Sequence, residues 1–577
     1  MPIQTPTHDD NTSDPNPEST TGQSQSLPKS TITKVRPRRI QLSDRLNRWQ
    51  RRRKRTWRRY TKWVTRIPAS LWLFFAFFVY FVWESILSPS FSPVHTLAVL
   101  NGGKMDFAAV QGFLNVQIRT LGIILAALFT LCAIAIPITS NNYTPKLVNF
   151  FIKDVVNQLM FGLLIISNIF ANYTMFSMLG DNIPRLNIVL VAILSLMCIA
   201  FTVPYAYYIF NFLQPEEIIR HIQNDIFEDL EDASYTRDTK RLHDLRAKVM
   251  LDSKYLSNII LRSIDRHDRD TAMFGLEAMR NIFDYYIDIK EALPKAWFTV
   301  DRCDFLALSQ NMVEQIEEGK TIYEAELFEE LSLLYNMSLG KMSDIVRLIS
   351  EMVHHIGFQG IQRDQRKTVE LTYMYFNSFI RTALTQKLAN SVYIISFYYR
   401  VLAERAMETN PEDTARIAFF LDYYSHQAVR MGLVFVPNLL SYDVADLTIL
   451  AFQTDCSCKH RLLEVYCDFD RVQIMRESPG VIKSHIKLAT ALNFMGFTDE
   501  KDQLCDALCH IRIELIKNAF EEIESVVSPD YWEITDRSKH LDYIPPELQD
   551  SFLEIKKLLH ERHKMDCKPG PIATESI

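Results

Sequence analysis

Cysteine and histidine gather twice in the last quarter of the chain. Cys456, Cys458, His460 and Cys467 fall close together, and Cys505, Cys509 and His510 follow. Thiolate and imidazole are the ligands of zinc, and Cys505 and Cys509, one helical turn apart, could clasp one ion. Cys-x-Cys followed by His is not a standard zinc spacing, however, and thiols on helices are ordinarily core residues. Reduced thiols are the expectation. Histidine pairs with a neighbour at His243-Asp244, His267-Asp268 and His354-His355. All-helical metal phosphohydrolases use a His, His-Asp, Asp set, but no ordered spacing emerges here, and such dipeptides arise by chance among 14 histidines. The chain has no Gly-rich phosphate loop, no His-Glu-x-x-His and no Gly-x-Ser-x-Gly, so nucleotide and serine hydrolysis have no support. No catalytic residue, metal ligand or cofactor is assigned.

A different chemistry is offered by polar side chains inside apolar runs. Asn157, Asn168 and Asn172 fall on one narrow face at 100° per residue. Ser195 and Thr202, seven apart, share another, followed by Pro204, which can kink a helix. Amides and hydroxyls in such places either join neighbouring helices or line a pore or ligand cavity.

The elements that would hold them are four apolar segments, roughly 68–87, 120–139, 155–178 and 188–212. Each is near the ~20 residues that cross a bilayer core. Four in succession make a four-helix transmembrane bundle the expected fold of residues 67–213. No charge sits mid-membrane: Glu84 and Asp154 lie at ends. Proton relays and ion pumps place carboxylates or histidines within the span, so a coupled transporter is disfavoured.

Charge fixes the expected orientation. Residues 1–66 hold 16 Lys/Arg and 5 Asp/Glu, a surplus of eleven positive charges, and the remainder carries 17 surplus negative charges. Within 34–66 a basic arm contains Arg51, Arg52, Arg53, Lys54, Arg55, Arg58 and Arg59, interleaved with Trp57 and Trp63. Beside a span, this composition suits an anionic lipid surface, and no nucleic acid is expected as a partner. The loop at about 88–116 carries only Lys104, the next Lys146 and Lys153, the third only Arg185, and positive residues return at Arg220. Lys/Arg bias therefore predicts an inner-membrane protein with both termini cytoplasmic. The Ser/Thr/Pro-rich tail 1–33 cannot bury enough apolar surface to order itself, and 564–577 is read likewise as a disordered tail.

The second loop reads TSNNYTPKLVNFFIKDVVNQ, Thr139 to Gln158. Its Thr144-Pro145-Lys146-Leu147, Lys153-Asp154 and Gln158 resemble the bacterial family of predicted membrane proteins known as domain of unknown function 2254. The resemblance implies four spans, a short inner loop with a Ser/Thr-Pro-Arg/Lys-Leu element, and a long helical cytoplasmic region. It implies no biochemical activity. A second echo, Arg262 to Met279, matches the family segment only at Asp268, Thr271 and Ala272. The resemblance has specificity over about 90–290. Independently of it, Pro145 suits a first helical turn, and Phe150 and Phe151 can lie at the bilayer boundary while the lysines reach lipid phosphates.

From Gln214 onward the chain is hydrophilic but periodic. Leu327, Leu331 and Leu334, then Ile345, Leu348, Ile349, Met352 and Ile356, follow helical spacing on either side of Gly340. Similar patterns run at about 237–263, 268–291, 365–386, 388–408, 411–431, 458–477, 480–496 and 499–525. Pro215 with Glu216 and Glu217 marks a helix start, and a last helix runs to about His563. Hairpins recur without a fixed consensus, so residues 214–563 are expected to form an all-α, solenoid-like domain. The leading functional expectation is a non-enzymatic membrane protein whose helical domain binds a cytosolic partner or forms a homo-oligomer, with a channel or transport role as its sharper form. A membrane-anchored enzyme with a helical, metal-dependent domain is the alternative.

Overall fold

The computed structural model describes residues 107–143, 148, 151–152, 154–178, 185–300, 309–530, 537 and 540–564. The apolar segment 68–87, the basic arm, both tails, Thr144, Pro145, Lys146, Leu147 and Lys153 lie outside the described residues. Among the described residues the chain is helical and contains no β-strand.

Among the described residues three long apolar helices come first: α1 (Phe107–Asn142), α2 (Val155–Phe176) and α3 (Arg185–Phe212). Each packs against the other two. Their outward faces carry exposed Ile123, Phe129, Ile166, Ile169 and Phe210, a distribution suited to lipid rather than water. At 1.5 Å per residue α1 is about 54 Å long, well beyond the ~30 Å hydrocarbon core. It therefore begins earlier than the segment at 120–139 suggests. Arg119 is exposed and marks where α1 leaves the apolar stretch, which reconciles the two boundaries. Hydropathy reports only the buried-in-lipid part of a helix; Gln111, Asn115 and Gln117 lower the hydropathy without breaking the helix.

The helical domain starts with α4 (Pro215–Tyr235), α5 (Thr239–Asp265) and α6 (Arg269–Ile289), a mutually packed trio. Pro215 sits in the first turn of α4 with Glu216 and Glu217 beside it, as its sequence implies. After α7 (Gln310–Gly319) come α8 (Ile322–Ser338), α9 (Ser343–Gln362), α10 (Arg366–Thr385), α11 (Ala389–Thr409), α12 (Pro411–Arg430) and α13 (Phe435–Gln453). These stack in two rows. One row runs α6, α9, α11, α13 and the other α8, α10, α12, each helix touching the next in its row and its hairpin partner across. The rows continue through α14 (Lys459–Cys467) and α16 (Pro479–Phe494), with α15 (Gln473–Arg476) between them. The stack is closed by α17 (Thr498–Cys509), α18 (Ile513–Glu524) and α19 (Gln549–Lys564).

One turn builds most of this stack. His267, Lys320, Asp364, Lys387, Gly432, Asp455 and Gly496 all have positive φ, near +50 to +83°. At Lys387 the next amide, Leu388 N–H, reaches back to Ala383 O at 3.0 Å and Lys387 N–H to Leu384 O at 2.8 Å. This pair of bonds satisfies carbonyls orphaned at the helix end and reverses the chain within two residues. The same pair recurs at Asp364, Gly432 and Asp455. Asp364 and Lys387 lie 23 residues apart, as do Gly432 and Asp455.

Two expected helices are interrupted. The pattern at 458–477 divides into α14, a 3₁₀ turn at Asp468–Arg471 and α15; that at 499–525 divides into α17 and α18 at His510–Arg512. The short α7 has no counterpart among the expected patterns, and neither does α13. The latter is apolar enough to cross a membrane by length and composition, yet it is mostly buried between α11, α12, α14 and α16. Buried residues, polar Asp443 and Thr448 among them, fall around most of α13, so no single apolar stripe marks it.

Candidate functional site

Where the membrane helices meet the helical domain, two stretches distant in sequence come together. Tyr143 follows the last turn of α1. The Arg266 guanidinium lies over its ring, 5.7 Å from the centroid, at the turn between α5 and α6. Asp268 caps α6, accepting from Thr271 N–H at 3.2 Å, while Thr271 and Ala272 are buried behind it. Burial, then the Asp268 carboxylate, raises the Tyr143 phenol above its ordinary range, and Arg266 opposes them. The phenol therefore stays neutral, an apolar ring with a polar tip at the boundary.

The entry to α2 is tied down beside it. Asp154 caps α2 through Asn157 N–H at 3.1 Å. The side-chain amide of Asn157 donates to Phe151 O at 2.9 Å, and that of Gln158 to Ile152 O at 2.9 Å. Both close carbonyls at the end of the preceding helical segment, near lipid, where an unsatisfied carbonyl is costly. Asn157 is 2% exposed, and its oxygen accepts from Tyr205 OH on α3 at 3.1 Å. Aromatic rings then bridge the layers: Phe151 stands edge-on to Phe212 at 6.1 Å, and Phe212 meets His221 of α4 at 5.6 Å. Phe212 is buried in the core of the helical domain, against which Tyr143, Phe151 and Tyr208 also pack. Only Leu213 and Gln214 separate α3 from α4.

The polar residues expected to share one face divide between two places. Asn157 belongs to the junction. Asn168, midway along α2, donates to Ile118 O of α1 at 3.3 Å, and Asn172 donates to Asn168 O and Oδ1 at 2.8 and 2.9 Å. Ser167 Oγ accepts a long contact from Cys198 Sγ of α3, at 3.4 Å. Thr202 bonds back to Cys198 O at 2.8 Å, and Ser195 is buried with its hydroxyl unpaired. Pro204 lies within α3.

The candidate metal residues do not converge on one centre. Among the described residues no three His, Cys, Asp or Glu side chains form a group able to hold a metal ion. Cys505 and Cys509 are buried, and His460 lies 3.6 Å from Glu500. His243 and His267 are exposed on separate turns. His355 Nε2 lies 2.6 Å from Asp284 Oδ1, joining α9 to α6. Burial first, then the neighbouring His355, pushes His354 down to about 4.

Sequence reasoning passed over Tyr143, Arg266 and Phe212. The first two adjoin the family-like elements, and that adjacency was the available signal. It also passed over a buried charge network between α6, α8 and α10. There Lys290 Nζ bonds Glu324 and, at 2.9 Å, Gln365, while Tyr286 OH donates to Glu324 at 3.0 Å. Lys290 also lines a cavity of about 310 Å3.

No curated protein matches the chain. A solved structure described as a "Circular tandem repeat protein with novel repeat topology and enhanced subunit contact surfaces" aligns with 61% of this chain and 97% of its own, at 12% identity and a TM-score of 0.29. The family match begins before the stretch expected to carry the resemblance and stops short of Asp268, Thr271 and Ala272. Residues 60–257, which include the loop motif, the described membrane helices and the start of the helical domain, match the family described as "Predicted membrane protein (DUF2254)".

Proposed function

We propose that this is a non-enzymatic inner-membrane protein whose stacked helices form a cytoplasmic platform for partner binding or self-assembly, seated firmly on the membrane helices. The junction carries the reading. Phe212 belongs at once to α3 and to the core of the domain, and a two-residue link joins α3 to α4. Stacked hairpins present long continuous faces, the usual use of such architectures being protein recognition. The excess of Lys/Arg before the first apolar segment supports the cytoplasmic placement, and the same arm would meet anionic lipid.

Cross-linking of the full-length protein in native membranes, followed by light scattering in nanodiscs, tests this. A defined oligomer, or one stoichiometric partner cross-linked to the helical stack, is expected. A lone chain with substrate turnover that disappears on Cys505→Ala or His267→Ala would replace this reading with the membrane-anchored enzyme. A C-terminal tag labelled from the periplasmic side would overturn the orientation.

The channel reading rests on the Asn168 and Asn172 amides. The Asn168 bond to Ile118 O of α1 favours helix joining, while the Asn172 amide is used within α2. On this view Asn168→Leu leaves ion flux through liposomes unchanged and lowers resistance to detergent unfolding by about 1 kcal/mol. A change in flux with stability retained would favour a pore.

A further inference from the structure

The turn joining α13 to α14 holds two thiols in contact. Cys456 Sγ and Cys458 Sγ are 3.2 Å apart, and both cysteines are free. The backbone sets this up. Asp455, at φ +50°, ends α13; Cys456 N–H then reaches back to Ala451 O at 2.8 Å. Lys459 N–H closes a tight turn onto Cys456 O at 3.1 Å, and Leu462 N–H bonds Cys458 O at 2.9 Å as α14 begins. Both cysteine backbones are thus fixed with their sulfurs facing each other. Cys505 and Cys509 differ: side chains one helical turn apart have Cβ atoms about 5–6 Å apart, beyond the ~4 Å of a disulfide.

The two sulfurs are not equivalent. Cys456 is partly exposed, whereas Cys458 is 2% exposed. Burial first, then the adjacent Cys456 thiol, pushes the Cys458 thiol up to about 12. A reagent in solution reaches Cys456 first.

We propose that Cys456-Ser457-Cys458 is a thiol–disulfide exchange site, with Cys456 attacking and Cys458 resolving, for a small-molecule disulfide of the glutathione class. The Cys456 thiolate attacks one sulfur of the small disulfide. A Cys456–S–S–R bond forms, the R–S–S–R bond breaks, and one thiolate leaves and takes up a proton. Cys458 then loses its proton and attacks Cys456 Sγ. The Cys456–Cys458 bond forms and the second small thiol leaves. The protein loses two electrons and two protons, and one small disulfide becomes two thiols. The resulting closed ring locks the α13–α14 turn.

The test uses the full-length protein in nanodiscs, equilibrated with oxidised and reduced glutathione at graded ratios, acid-quenched, alkylated and digested. The Cys456–Cys458 peptide is expected to escape alkylation and to weigh ~2 Da less as the oxidised fraction rises, while Cys505 and Cys509 remain alkylated. Cys458→Ser is expected to trap one glutathione on Cys456, and Cys456→Ser to leave Cys458 without one. Melting curves of both variants check that the fold is kept. Complete alkylation of both thiols across the series overturns the proposal. So does a glutathione adduct on Cys458 in a folded Cys456→Ser protein.

Discussion

Replacing Lys290 with methionine should cost the helical domain about 3 kcal/mol, and the structure says why the loss is not smaller or larger. Glu324 is fully buried, and Lys290, itself 6% exposed, is its cationic partner. Removing one partner of a buried pair typically costs about 3–5 kcal/mol because the other charge is left uncompensated. Here Tyr286 OH at 3.0 Å and Thr368 OH at 3.3 Å still donate to Glu324, which favours the lower end. Glu324→Gln should cost less, about 1–2 kcal/mol. Lys290 keeps Gln365 Oε1 as an acceptor and borders a cavity through which water can reach it. The described helices of the domain run from residue 215 to residue 564. At roughly 2 cal/mol/K per residue its unfolding entropy makes 3 kcal/mol worth about 4 °C. Fluorescence melting in detergent reads it, since the fully buried Trp297 lies a few residues beyond Lys290. The Lys290→Met/Glu324→Gln double variant should show a coupling of about 2 kcal/mol. A Glu324→Gln loss exceeding that of Lys290→Met, or additive losses, would refute the reasoning.

Acid should weaken contacts between α9 and its neighbours through His354. Its folded value, about 4, lies below the ordinary 6.5, so the unfolded chain binds the proton more readily. Stability is therefore full above about pH 6.5 and falls as pH drops toward 4, by up to roughly 3 kcal/mol; His354→Leu should flatten that limb of a stability–pH curve, and an unchanged slope would contradict it. Lys387→Gly should raise the melting point by the equivalent of about 1 kcal/mol, because φ +57° strains any residue with a Cβ; a fall would mean the lysine side chain matters more than its backbone. Tyr143→Ala and Arg266→Ala should show a coupling of about 0.5–1 kcal/mol in a double-mutant cycle, with zero coupling excluding the ring–guanidinium contact.

The three described membrane helices were legible because hydrocarbon demands a long apolar run, and among the described residues nothing else satisfies that demand while remaining exposed. The amphipathic helices were legible for a related reason: one buried stripe leaves a period. α13 escaped because buried residues fall around most of it, and the division between α17 and α18 escaped because Ile511 is apolar on both readings. The repeat itself was hidden. Its defining event is a left-handed residue, but His267, Asp364, Lys387 and Asp455 occupy positions where glycine would have announced the turn. The three asparagines shared an angular face, yet Asn157 serves the Phe151 carbonyl of the preceding helical segment and Asn168 a neighbouring helix; angle alone does not say what lies opposite. The meeting of Tyr143 with Arg266 spans more than a hundred residues, and no local pattern encodes it.

The two-residue join between α3 and α4 makes the first helix of the stack a crank arm. Leu213 and Gln214 offer too little slack to absorb a twist, and the Phe212 ring is already gripped on both sides. A rotation of α3 about its own axis, forced by bilayer thickness or by a neighbour in the lipid, would therefore swing α4 rather than dissipate. Because α4 and α6 are clamped together, that torque would pass to the row of helices beginning at α6.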